Sequence, residues 1–63
     1  MKWTESLEIA IALDEKYPEI SPLTLGFVEL REMVLSLDDF DDDAEKSGEK
    51  ILEGIQMAWI EEQ

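Results

Sequence analysis

The chain has no cysteine and no histidine. Without thiols there is no disulfide to reinforce a small core. With imidazole missing as well, nitrogen and sulfur ligation of zinc or copper has almost nothing to work with. The same two absences remove the commonest general base and the most reactive nucleophile. Three glycines and two prolines supply no glycine-rich phosphate loop and no GxSxG turn. Ser6, Ser21, Ser36 and Ser47 have only carboxylates or lysines as candidate bases. Paired carboxylates do acid–base work only where a dry cleft separates their pKa values. A chain of 63 residues is one small domain, and such a domain buries only about 60% of the surface its unfolded chain exposes. The residues therefore point to a protein that is not an enzyme.

Basic residues are scarce too. Five lysines and arginines face 17 aspartates and glutamates, a net charge of -12. Small soluble domains usually carry a net charge of roughly 2–8 in magnitude. An excess of this size repels phosphate and so disfavours nucleic acid and anionic membrane. A basic protein surface or a cation suits it better. No apolar run reaches the roughly 18 residues of a membrane span, and "MKWTESLEIAIAL" places acids where a signal peptide needs its apolar core. The expectation is a cytoplasmic protein with no membrane association.

Apolar spacing predicts a mainly α, single three-helix domain over residues 1–63. From Thr4 to about Tyr17, Leu7, Ala10, Ile11 and Leu13 form an apolar side, with Thr4 as N-cap and Glu5 at the positive end of the helix dipole. Pro18 ends this helix. "YPEISPLTLGF" reads as a connector with at most one short extended piece, near Leu23–Phe27. A second helix is expected from about Val28 to Leu37, with Leu30, Met33, Val34 and Leu37 inward. A third should begin at Ser47 or Gly48 and run to about Glu61. Its inward stripe is Ile51, Ile55, Ala58 and Trp59, with Leu52 at the margin, while Lys46 and Lys50 soften the repulsion of Glu49 and Glu53. Trp3 and Trp59 border apolar stripes and are expected in the core.

Between the second and third helices lies "LDDFDDD", five acids in six consecutive positions interrupted by Phe40. A helix–acidic loop–helix order invites an EF-hand reading, but no register satisfies it. Starting at Asp39 puts Ala44 where the loop needs glycine and Lys50 where it needs a bidentate glutamate; starting at Asp38 puts Phe40 at the third ligand position. Clustered carboxylates still allow weak, hydrated binding of a hard cation. The aromatic ring is expected to pin the loop to the core, which would present the charges as a fixed array for docking. A solvated connector with no task is the simpler alternative.

The chain resembles the IscX family of small acidic proteins of bacterial iron–sulfur cluster assembly. The matching pieces are "KWT" at Lys2–Thr4, "EI" at Glu8–Ile9, "YPE" at Tyr17–Glu19, "LDDFDDD" at Leu37–Asp43 and "EKILEGI" at Glu49–Ile55, followed by Trp59. The resemblance implies a winged-helix-like helical domain that acts as adaptor or regulator of the cysteine desulfurase. It implies docking on that enzyme's basic surface in competition with frataxin-like protein and ferredoxin. It also implies weak iron binding. A monomer that requires no cofactor is expected. Carried over by position, the metal candidates are Glu5, Glu8, Asp38, Asp39, Asp41, Asp42 and Asp43. The partner-binding candidates are these together with Glu19 and Phe40. An iron carrier that donates to the cluster scaffold is the alternative function. One segment departs from the pattern. Where the family tends to read R-F-T-D-[LM]-H-x-W, this chain has Gly26 to Met33, so the arginine, histidine and tryptophan are replaced by Gly26, Arg31 and Met33.

Overall fold

Three α-helices form in the computed structural model, which describes all 63 residues: α1 (Ser6–Lys16), α2 (Phe27–Leu35) and α3 (Glu49–Glu62). Two 3₁₀ turns, Pro22–Thr24 and Ala44–Lys46, lie in the connections. No β-strand is present, so the architecture is helical without a β wing. Within the stretch expected to hold at most one short extended piece, Leu23 and Thr24 belong to the first 3₁₀ turn and Phe27 opens α2, while Leu25 (φ -88, ψ 138) and Gly26 (φ -82, ψ 163) between them are extended without forming a strand. Pro22 starts that turn, because its fixed φ suits a helical first position.

The helix ends follow local chemistry. Thr4 is not the cap of α1; it sits in a turn closed by the Glu5 amide donating to the Lys2 carbonyl at 3.0 Å, and Glu5 takes the N-cap position. The Glu5 carboxylate accepts the Lys2 amide at 2.6 Å, which locks that turn. Tyr17 leaves helical geometry ahead of Pro18, as the proline requires. α2 stops at Leu35, two residues before the expected end, because Ser36 caps it. The Ser36 hydroxyl donates to the Met33 carbonyl at 2.6 Å and lies 2.7 Å from the Tyr17 hydroxyl, while Lys16 Nζ donates to the Ser36 carbonyl at 2.8 Å. A cation at this helix C-terminus also suits the dipole.

The core comprises Trp3, Ile9, Ala10 and Leu13, with Leu30, Val34 and Leu37 from the second helical segment and Leu52, Ile55 and Trp59 from α3. α3 is the common support: α1, α2 and the first 3₁₀ turn all pack on it. Two expectations are corrected here. Leu7 is 56% exposed and Ile9 takes the inward place, since a residue two positions away points to a different side of a helix. Leu52 is buried, not marginal, because α3 is covered from more than one direction and needs a wider apolar arc. Lys46 and Lys50 form no ion pair; the ion pairs present involve the terminal amine, Lys2 and Arg31.

Candidate functional site

After α2 the chain returns to the amino-terminal segment, and the acidic run is clasped there. The Met1 amine donates to the Asp39 carbonyl at 2.6 Å and to Asp41 Oδ1 at 2.9 Å. Lys2 Nζ reaches the Asp41 carbonyl at 3.0 Å, and the Asp41 amide donates to the Met1 carbonyl at 3.1 Å. The Trp3 amide donates to Asp42 Oδ2 at 3.0 Å and its indole N–H to the Asp43 carbonyl at 2.7 Å. The Phe40 ring meets Trp3 edge-on, centroids 4.7 Å apart, and is half-buried against the core. The ring pins the loop, as its place in the sequence suggested.

The five aspartates are therefore not equivalent. Asp41 is held below the ordinary carboxylate range first by the terminal amine and then by Lys2. Asp42 is held low by the backbone N–H groups of Trp3 and Asp43. Asp43 accepts the Glu45 amide at 2.9 Å and so caps the second 3₁₀ turn. Asp38 and Asp39 are exposed, and their carboxylates have no partner in the protein.

Of the other candidates, Glu5 closes the turn before α1, and Glu8 is exposed one turn further on. Glu19 lies beyond the far end of α1, and no contact ties it to the acidic run. One residue was missed by sequence reasoning. Glu15 lines an open cleft of about 400 Å³ with Asp38, Asp39, Lys16 and Ala12. Its only sequence signal was a position on the outer side of α1, which does not reveal what crosses there.

No three acidic side chains converge as a set of metal ligands. A resident iron needs several oxygens aimed at one point, and Asp41, Asp42 and Asp43 are aimed at the chain's own N–H groups and cations instead. These residues do not fit a built iron centre. What the arrangement does provide is uncompensated charge. Lys16 and Arg31 hold backbone carbonyls, with Arg31 donating to the Ala44 carbonyl at 3.2 Å and to Ser47 Oγ at 3.1 Å. Ion pairing by side chains is confined to Lys2–Asp41 at 3.4 Å and Arg31–Glu32 at 3.9 Å. Most of the acids are left to act outward.

The family model for iron–sulphur cluster assembly, that of the IscX family, matches residues 1–63. The chain belongs to this family. A relative from Pseudomonas aeruginosa, described as an uncharacterized protein, is 58% identical over 62 residues, covering 98% of this chain and 94% of its own. Two motifs that carried the resemblance, "KWT" and "LDDFDDD", are the two sides of one contact in this IscX-family structure. At the coarse level its role is iron–sulphur cluster assembly, in contact with the assembly machinery. No helix is long and apolar enough to cross a membrane.

Proposed function

We propose that this IscX-family protein is a monomeric, non-enzymatic adaptor of the cytoplasm that regulates the cysteine desulfurase. It docks an acidic face on a basic surface of that enzyme, in competition with frataxin-like protein and ferredoxin. The observation that carries this reading is the outward pair Asp38 and Asp39 on a loop fixed by the clasp, with Glu15 beside it. A loop already ordered before binding loses less conformational entropy on docking. A field of one sign, unpaired by the chain's own cations, steers a basic partner toward it.

The iron-carrier alternative has less support, because a carrier needs converging ligands and the acids do not converge. Exposed carboxylates of this kind hold a hydrated hard cation loosely, and calcium should compete for it. Calorimetric titration of purified cysteine desulfurase, with and without Fe(II), separates the two. The adaptor reading expects binding without iron and its loss when frataxin-like protein is added. Binding that requires one equivalent of iron, undisturbed by excess calcium, would favour the carrier.

A further inference from the structure

A second cleft, about 380 Å³, opens between the first turn of α2 and the start of α3. Phe27, Val28 and Leu52 give it an apolar lining, and Glu45 and Glu49 line it as well. Val28 is 77% exposed. A single exposed valine is ordinary on a protein surface, but this one lines a concavity that also holds two carboxylates. Arg31 also lines the cleft, yet its guanidinium is turned to the Ala44 carbonyl and Ser47 Oγ.

We infer that this cleft is a docking site for a basic stretch of polypeptide that presents one apolar side chain, the side chain entering against Val28 and Leu52 and flanking cations meeting Glu45 and Glu49. Charge decides the occupant. A phosphate or carboxylate would face the two glutamates. A second copy of this chain would bring another net charge of -12. Only a cationic partner gains from both the wall and the rim. No residue that lines the site belongs to the clasp, although Asp43 caps the 3₁₀ turn at its edge, and the inference does not depend on which assembly protein binds there. In binding, charges of the rim set mainly the encounter, whereas a buried apolar anchor sets the lifetime.

The test uses a pentapeptide of leucine flanked by lysine pairs, its alanine counterpart, and a leucine peptide flanked by glutamates. Each is titrated into the isotope-labelled protein and followed by backbone amide NMR shifts. The lysine–leucine peptide should move the Val28, Ala44 and Gly48 signals and bind roughly five- to tenfold tighter than the alanine peptide. Gly48→Leu should erase that difference while leaving every charge in place. A side chain is tolerated there: an added Cβ at Gly48 meets nothing within 4 Å, and φ -125, ψ 166 is ordinary extended backbone. Val28→Ser, which removes the exposed apolar group, should weaken the leucine peptide in the same way and covers the case in which Gly48→Leu does not fold. Equal binding of leucine and alanine peptides would overturn the inference. So would shifts confined to residues 38–43, tighter binding of the glutamate-flanked peptide, or concentration-dependent shifts at Val28 in protein alone.

Discussion

Trp3 and Trp59 are both fully enclosed, at 1% and 0% exposure, and differ in what surrounds one atom. The Trp3 indole N–H donates to the Asp43 carbonyl, whereas Trp59 Nε1 is buried with no partner. A made hydrogen bond adds about 1 kcal/mol, and an unpaired buried donor costs at least as much. Trp3→Phe is therefore expected to destabilise more than Trp59→Phe by about 1 kcal/mol or more in urea unfolding; equal losses would mean the clasp bond is worth nothing. The clasp carboxylates have a pH signature as well. Asp41 and Asp42 are lowered from 3.8 because their ionised forms are favoured in the fold. The stability they add is present above that value and is lost as pH falls through their lower folded values. The Tm gap between wild type and the Asp41→Asn/Asp42→Asn variant should hold at neutral pH and close below 3.8. A gap that persists unchanged in acid would contradict the assignment. The two tryptophans could be placed in the core from sequence, since each borders an apolar stripe. The division of labour among the aspartates could not, because it depends on contacts between residues some forty positions apart.

Helices were the most legible elements, and their ends the least. The spacing of Leu30, Met33, Val34 and Leu37 identified the inward side: Leu30 and Val34 are buried on α2, Met33 is half-buried against the core, and Leu37 is buried just beyond the helix end. The expected last turn does not form because Ser36 stops α2 through bonds made by Lys16 and Tyr17, which lie at the end of α1. In α1 and α3 the inward arc was misjudged at Leu7 and Leu52, since periodicity gives a direction but not how many neighbours cover it. Stability measurements check these placements. Leu52→Ala should cost about 2–5 kcal/mol, while Leu7→Gln should stay within about 0.5 kcal/mol; the reverse order would refute the packing. Gly54 sits exposed inside α3, and an added Cβ meets nothing within 4 Å. Gly54→Ala should stabilise by about 0.5–1 kcal/mol through helix propensity. A loss would contradict the open, helical surroundings of Gly54.

On the scale of the whole molecule, a net charge of -12 works against compactness. Added salt should therefore raise the thermal midpoint of the isolated protein, and a midpoint that falls would mean that the attractive pairs outweigh the repulsion. The same screening should weaken docking, because at 0.15 M ionic strength the Debye length is about 8 Å. The surplus of acid was evident from composition alone. Which acids are outward was not, and this decides the choice of variant. Asp41 and Asp42 belong to the clasp, so replacing them would disturb the loop as well as its charge. The carboxylates of Asp38 and Asp39 have no hydrogen-bond or ion-pair partner to lose. Stopped-flow association with purified cysteine desulfurase, at about 50 mM and about 300 mM salt, is the most direct measurement. Wild type should associate much faster at the lower salt with little change in dissociation, and Asp38→Asn/Asp39→Asn should lose most of that acceleration while its melting curve is preserved. Association that is equally fast for both proteins at both salt concentrations would contradict docking through the acidic face.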